Sequence, residues 1–235
     1  ISLQAVPETM DVPSITVEQM REVDRLAVEE YGITLPQMME NAGRVVAQLI
    51  IDLYDPERVS VLVGKGNNGG GGLIATRYLH MRGVETEVAL ATSDLPEVPM
   101  RRLSTLRALD IPVRTSTRFD DGIILDALLG YDQKGGPMGH VADLVEAGEE
   151  SRRQVVSLDV PTGFDLETGE YHSISFKEPV TLTLGLPKAS MEGAIRDLWL
   201  GDVGIPREVF GRLGISVPVL FRETDRIKLE RMTLW

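Results

Sequence analysis

A glycine- and asparagine-rich segment directly after an apolar run is the feature that most restricts how this chain folds. Residues 59–63 read Val-Ser-Val-Leu-Val, which is typical of a buried parallel strand, and residues 64–72 read Gly-Lys-Gly-Asn-Asn-Gly-Gly-Gly-Gly. Residues 73–81 have the pattern of a helix. Glycines let the backbone approach a ligand, and a helix N-terminus offers free N–H groups and a partial positive charge. We therefore expect a turn over 64–72 that binds a nucleotide-like ligand.

The glycine spacing by itself is not diagnostic. Gly64, Gly66 and Gly69 fit the dinucleotide pattern G-x-G-x-x-G, whose usual acidic partner lies about 20 residues further on, at the end of the second strand. Here Glu85 and Glu87 lie at the start of that strand instead. The phosphate-loop ending Gly-Lys-Ser/Thr is also missing. These observations argue against an ordinary NAD dehydrogenase.

Apolar runs and helical periodicities alternate along the chain. A helical hairpin over residues 16–53 precedes the first strand, and Thr16 with Gln19 has the pattern of a capping box. Alternating strands and helices predict an α/β fold with a parallel sheet covered on both faces. We expect residues 1–14 to form an arm, residues 15–235 a single domain, and residues 218–222 an edge strand. The other predicted strands are 59–63, 85–90, 112–113, 122–129, 154–158 and 180–184.

Two aspartates end predicted strands. Asp126 lies in the strand 122–129, and Asp159 follows the strand 154–158. Because the carboxyl ends of parallel strands form the ligand crevice, we expect both carboxylates near the glycine-rich segment. Each aspartate alternatively caps a turn. The loop 130–137 runs at the same edge, and its Lys134 is a candidate phosphate partner or proton donor, or an ordinary solvated lysine.

Composition excludes several classes of function. The chain has no cysteine, so a disulfide framework, a thiolate nucleophile and a cysteine-based zinc site are excluded. Its formal net charge of −12 disfavours nucleic-acid binding. No apolar run predicts a membrane helix, and no signal peptide is recognisable, so we expect a cytoplasmic protein. The oxygens of Asn68, Asp126 and Thr162 suit a hard cation, although spacing alone does not establish such a site.

At these residues the chain resembles the YjeF N-terminal domain family, the NAD(P)HX epimerases. The family pattern Gly-Pro-Gly-Asn-Asn-Gly-Gly-Asp-Gly aligns with residues 64–72. Its Asp-Ala-hydrophobic-hydrophobic-Gly pattern aligns with residues 126–130, and its Asp-Ile-Pro-Ser-Gly with residues 159–163. Its late Pro-Lys pair aligns with Pro187 and Lys188. The resemblance extends over about residues 15–215.

This resemblance implies a Rossmann-like three-layer αβα sandwich with a mostly parallel central sheet, usually dimeric. It implies an isomerase that interconverts the R and S forms of hydrated NADH or NADPH, with a separate dehydratase acting next in the repair of the cofactor. Asp159 would be the first choice for acid/base catalysis and Lys134 the second, and Asn68, Asp126 and Thr162 would bind potassium. Substrate would be bound by Asn67, Asn68, Gly69, Gly70, Gly71, Gly130, Tyr131, Asp132, Gln133, Lys134, Gly135, Gly136 and Asp159.

The chain departs from the family pattern at two positions of the glycine-rich segment. Gly71 stands where the family has aspartate, which removes a carboxylate. Lys65 stands where the family has proline, which adds a cation near possible phosphates. The missing carboxylate motivates an alternative hypothesis, in which the chain is a non-catalytic nucleotide-binding or scaffolding module of the same fold.

Overall fold

The computed structural model describes residues 11–119 and 121–229. Within these residues the helices are Val17–Glu29 (α1), Leu35–Tyr54 (α2), Asn67–Met81 (α3), Glu97–Ala108 (α4), His140–Glu150 (α5) and Arg207–Gly211 (α6). The strands are Arg58–Val63 (β1), Glu85–Leu90 (β2), Val113–Arg114 (β3), Ile123–Ala127 (β4), Val155–Leu158 (β5), Phe164–Asp165 (β6), Glu170–Tyr171 (β7), Val180–Leu184 (β8), Asp197–Gly201 (β9) and Arg226–Leu229 (β10).

The central sheet has eight strands in the order β10-β9-β8-β5-β4-β1-β2-β3. Its pairings are parallel except for β10, which runs antiparallel to β9. Strand β1 pairs with β2 on one side and with β4 on the other. The chain therefore changes direction across the sheet at β1 and β4, and a crevice forms at their carboxyl ends.

Two apolar cores cover the two faces of the sheet. Neighbouring residues of β1 point to opposite faces, so Val61 belongs to one core and Leu62 to the other. The larger core joins the sheet to helices α1, α2, α3, α4 and α6. The smaller core joins it to α5 through Leu144 and Val145. The predicted α/β fold with a three-layer αβα arrangement is confirmed.

The capping box predicted at Thr16 and Gln19 is confirmed, and the edge strand predicted over residues 218–222 is wrong. The Thr16 hydroxyl accepts from the backbone N–H of Gln19, and the Gln19 side chain accepts from the Thr16 N–H, so the capping box forms. Residues 1–10 of the predicted arm lie outside the described residues. No strand forms over residues 218–222. The edge strand is β10, because residues 226–229 find backbone partners along β9, whereas Leu220 packs into the core from an irregular segment.

The glycine-rich segment is mostly helix, which corrects the predicted turn over 64–72. Helix α3 begins at Asn67, so Gly69 to Gly72 lie in its first turns. A Cβ on Gly69 would lie 1.9 Å from the Gly64 carbonyl oxygen, and one on Gly72 would lie 2.5 Å from the Ala127 Cβ. These glycines therefore let α3 pack directly onto the carboxyl ends of β1 and β4. Among the described residues, no helix has the length and apolar character needed to cross a bilayer.

Candidate active site

A cavity of about 700 Å³ opens at the carboxyl ends of the central strands. This volume lies within the range of small-molecule and cofactor sites. Helices α1 and α2 supply an apolar wall that includes Met20, Met38 and Met39. The N-terminus of α3 faces the cavity, so its first backbone N–H groups are available to an anion. The predicted site residues that line the cavity are Asn67, Asn68, Gly71, Gly130, Tyr131, Asp132, Gln133 and Asp159.

Other predicted binding residues lie outside the cavity lining. Gly69 and Gly70 are buried within α3, behind the residues that face the cavity. Lys134 and Gly135 are exposed on the loop after β4, and Gly136 packs toward the His172 ring. Their roles in substrate binding, and that of Lys134 in proton transfer, stay predictions.

Asp159 and Lys188 form a buried ion pair at the cavity. The Lys188 Nζ donates to Asp159 Oδ1 over 2.6 Å, and the two residues are 1% and 5% exposed, with Lys188 the more buried. The ammonium also donates to the Thr183 hydroxyl over 3.2 Å and to the Leu184 carbonyl over 3.1 Å. The second carboxylate oxygen of Asp159 accepts from the Tyr131 backbone N–H over 3.0 Å. A carboxylate and an ammonium are thus held in fixed geometry where a ligand can reach them.

The backbone at Asp159 is itself unusual. Its φ of 68° lies in the left-handed region, which non-glycine residues seldom adopt. Aspartate tolerates this conformation better than most residues. The Asp159 N–H donates to the Leu182 carbonyl over 2.7 Å, which ties this conformation to β8. Such strain persists only where the surrounding structure enforces it, and it is common at functional sites.

Sequence reasoning missed Lys188 as a functional residue. The N-terminal segment holds its backbone, because Ile15 donates to the Pro187 carbonyl over 2.9 Å and accepts from Ala189 over 3.1 Å. The lysine was visible in the sequence only as part of the Pro-Lys pair after the strand 180–184. Its depth, and its partner 29 residues earlier in the chain, became evident only from the fold.

Asp126 precedes the cavity-lining residues Leu128 and Leu129 and is fully buried. Its carboxylate accepts from the Ser157 hydroxyl over 2.8 Å, the Thr162 N–H over 2.8 Å, the Thr162 hydroxyl over 2.7 Å and the Leu128 N–H over 3.2 Å. All four donors are neutral. Burial raises the pKa of Asp126, while these hydrogen bonds oppose the shift. A nearby cation would therefore stabilise the ionised form.

The residues predicted to hold potassium lie close to one another. Asn68 donates to the Leu129 carbonyl over 2.8 Å, and the Leu129 N–H donates to the Thr162 hydroxyl over 3.2 Å. Thr162 in turn contacts Asp126. Amide, hydroxyl and carboxylate oxygens are hard ligands, and the buried carboxylate has only neutral donors, so this set fits a hard cation. No group of three or more His, Cys, Asp or Glu side chains suited to a metal is present among the described residues.

Comparison with known proteins assigns the chain to a family. The sequence model of the family described as YjeF-related protein N-terminus matches residues 35–190. The chain belongs to the YjeF-related protein N-terminus family. The match includes both Asp159 and Lys188, whereas helix α1 precedes it.

Relatives of this YjeF-related chain carry names that describe an activity. A protein of Dehalogenimonas lykanthroporepellens named NAD(P)H-hydrate epimerase is 43% identical over 220 residues, which are 89% of this chain and 89% of that protein. A protein of Salinibacter ruber named bifunctional NAD(P)H-hydrate repair enzyme Nnr is 32% identical, over 92% of this chain and 45% of its own length. The crystal structure of the yeast protein ynu0 superposes with a TM-score of 0.82 at 26% identity, and the alignment covers 93% of this chain and all of that one.

Proposed function

We propose that this chain is an NAD(P)H-hydrate epimerase, which interconverts the R and S forms of hydrated NADH and NADPH. The observation that carries the proposal is the buried pair of Asp159 and Lys188 at a cavity large enough for a nucleotide. The names of the relatives support the same activity. The site supplies a proton acceptor, a proton donor and an anion-binding helix terminus, which are the groups such a reaction requires.

The chemistry of the substrate explains why proton transfer is needed. Water added to the enamine of a reduced nicotinamide places a hydroxyl on a ring carbon next to nitrogen. Inversion of that carbon requires the C–O bond to break and to form again on the opposite face. A general acid protonates the departing hydroxyl, and a general base takes a proton from the incoming water. Asp159 is one of these groups, and Lys188 stabilises its charge.

The remainder of the cavity suits the nucleotide part of the substrate. The first turn of α3 begins at Asn67 and presents backbone N–H groups toward the cavity, where a pyrophosphate fits. Lys65, which replaces the proline of the family pattern, is exposed at the cavity and adds a positive charge. We propose that these groups bind the pyrophosphate and direct the hydrated ring toward Asp159.

The test is a direct measurement of epimerisation. Chromatographically separated R form of hydrated NADH is mixed with purified protein, and the appearance of the S form is followed by chromatography. The proposal predicts a rate that is proportional to protein concentration and far above the spontaneous rate. A rate equal to the spontaneous background, in protein that binds nucleotide, would instead support the non-catalytic module.

The non-catalytic alternative rests on Gly71. This glycine lines the cavity, and a Cβ there would lie 2.9 Å from the Leu158 Cδ2. The pair of Asp159 and Lys188 forms without any group from position 71. The ion pair therefore does not depend on a side chain at position 71, which favours the epimerase over the alternative.

We further propose that Asn68, Asp126 and Thr162 bind a potassium ion. The ion would neutralise the buried Asp126 and fix the loop that begins at Leu128 beside the substrate. The residues of this chain supply the oxygen donors, and no step of the reaction passes through the ion.

Potassium is expected to stabilise the folded protein. At a concentration ten times its Kd, an ion that binds only the folded state adds about 1.4 kcal/mol. For a chain of this length that raises the melting temperature by about 3–6 °C. The measurement compares calorimetric melting in potassium chloride and in N-methylglucamine chloride at equal ionic strength. Asp126→Asn should remove the difference, and equal melting temperatures for the unaltered protein would contradict the proposed ion.

Three further proposals concern the next enzyme in the repair, the oligomeric state and the location of the protein in the cell. The Salinibacter protein is about twice the length that it shares with this chain and is named bifunctional, which supports a dehydratase as the next enzyme. We also propose a cytoplasmic location and, as the family resemblance implies, a homodimer. Its mass in solution, measured by analytical ultracentrifugation, tests the dimer, and cell fractionation tests the location.

A further inference from the structure

A second carboxylate, Asp24 of helix α1, faces the same cavity as Asp159. It accepts a hydrogen bond from the Tyr131 hydroxyl. Tyr131 also donates its backbone N–H to Asp159 Oδ2 over 3.0 Å. The Lys188 Nζ lies 5.4 Å from the centre of the Tyr131 ring. Tyr131 therefore contacts both carboxylates and lies beside the ammonium that neutralises one of them.

Helix α1 is held in place where Asp24 reaches the cavity. One turn before Asp24, the Arg21 guanidinium forms an exposed ion pair with Asp132 at 2.9 Å. Arg21 and Asp24 thus contact neighbouring residues, Asp132 and Tyr131, of the loop after β4. The spacing of three residues places both on one face of the helix. Two contacts to the same loop fix the position of the Asp24 carboxylate.

The charges around the two carboxylates differ. Burial raises the pKa of Asp24, and the charges of Asp159 and Asp132 add to this shift, whereas the Tyr131 hydrogen bond and Lys188 oppose it. Asp24 therefore keeps its proton to higher pH than an ordinary carboxyl. The ammonium of Lys188 contacts Asp159 directly but not Asp24. The site thus holds a carboxyl that favours its protonated form beside a carboxylate whose charge is balanced.

We propose that Asp24 is the second proton-transfer residue of the epimerisation and acts as a catalytic pair with Asp159. This inference rests on the proposed epimerase function. In one direction the Asp24 carboxyl gives its proton to the substrate hydroxyl. The C–O bond breaks, water leaves, and the lone pair of the ring nitrogen forms a C=N bond. Water then adds to the opposite face of the carbon, the C=N electron pair returns to nitrogen, and Asp159 takes the proton.

Because Asp24 gives one proton and Asp159 takes one, the overall reaction neither consumes nor releases a proton. In the reverse direction the two carboxylates exchange roles. After a turnover the proton returns to Asp24 by exchange with water in the open cavity.

Because the pair works only when it carries a single proton, the dependence of kcat on pH should be bell-shaped. The acidic limb marks the doubly protonated pair and the alkaline limb the pair without a proton. The titratable or charged groups that face Asp24 are Tyr131, Asp159, Lys188 and Asp132.

The test compares Asp24→Asn with Glu22→Gln in the epimerase assay. Asparagine keeps an acceptor for the Tyr131 hydroxyl but cannot transfer the proton. We expect kcat to fall by about 100-fold or more, with KM changed by less than about threefold and the alkaline limb lost. Glu22→Gln removes a carboxylate of the same helix that pairs with Arg25 and does not line the cavity. Its kcat should stay within about threefold of the unaltered protein.

The possible outcomes separate the two proposals. If the unaltered protein does not epimerise the substrate, the proposed function fails and this inference fails with it. If the unaltered protein is active and folded Asp24→Asn keeps its kcat and both limbs, only the role of Asp24 is overturned. Circular dichroism shows whether the variant folds. Should it not fold, the profile of the unaltered protein decides, since two limbs support the pair and a single limb overturns it.

Discussion

Replacement of Asp159 by asparagine is expected to lower the kcat of epimerisation by about 100- to 10,000-fold, because a general acid/base group contributes a factor of this size. Asparagine has the same shape as aspartate and accepts the left-handed backbone conformation observed at this position. It also keeps an oxygen acceptor for the Tyr131 N–H. The variant should therefore fold, and its loss should appear in kcat far more than in KM.

The measurement is the chromatographic epimerase assay at saturating substrate, with circular dichroism to confirm the fold. Lys134→Gln is a matched comparison, since Lys134 lies outside the cavity lining and was the second candidate from the sequence. If Lys134→Gln loses as much activity as Asp159→Asn, the loop after β4 must close over the substrate. Retention of more than about a tenth of the activity by Asp159→Asn would contradict its role in proton transfer.

Replacement of Lys188 by methionine is expected to destabilise the protein by about 3 kcal/mol. Methionine fills the volume of the lysine stem but leaves the buried Asp159 carboxylate without its ammonium partner. Removal of one member of a buried ion pair costs about 3–5 kcal/mol. We expect the lower end of this range because Asp159 faces the cavity, where water can solvate it, and still accepts from Tyr131.

The double variant Asp159→Asn with Lys188→Met tests the electrostatic origin of this loss. Both partners are then neutral, so part of the stability lost by Lys188→Met should return. Activity should not return, because the proton-transfer group is absent. Urea unfolding of the single and double variants gives the coupling free energy. Additive losses would show that Lys188 stabilises the fold through its hydrogen bonds to Thr183 and Leu184 rather than by pairing with Asp159.

Much of the site follows from the order of elements along the chain. Strands and helices alternate, so the sheet is parallel, and residues at the ends of its central strands meet at one edge. Asn68, Asp126 and Asp159 were predicted at this edge from their position after apolar runs, and the structure brings them together. Local composition was sufficient for them because each lies at or shortly after the end of a strand. Asp126 is near the end of β4, Asp159 directly follows β5, and Asn68 lies in the glycine-rich segment after β1.

Local sequence patterns did not predict where helix α3 begins. Successive glycines indicated a turn because glycine has low helix propensity. In the fold, the space between α3 and its neighbours admits no Cβ at Gly69 or Gly72. Tertiary packing therefore selects glycine within the helix, and the cost in propensity is outweighed by the close approach of the helix to β1 and β4.

Local sequence patterns predict some features of the site, whereas others depend on the tertiary fold. Lys134 and Lys188, and Asp159 and Asp24, show the difference. Sequence alone predicted the α/β architecture, the ligand-binding edge and the position of Asp159 at that edge, because strand ends and glycines are local features. It did not distinguish Lys134 from Lys188, since burial depends on how β8 and the N-terminal segment pack around the side chain. Only the tertiary structure brought Asp24 to Tyr131, 107 residues away, because contacts at such separation depend on how α1 packs against the sheet edge rather than on any local pattern.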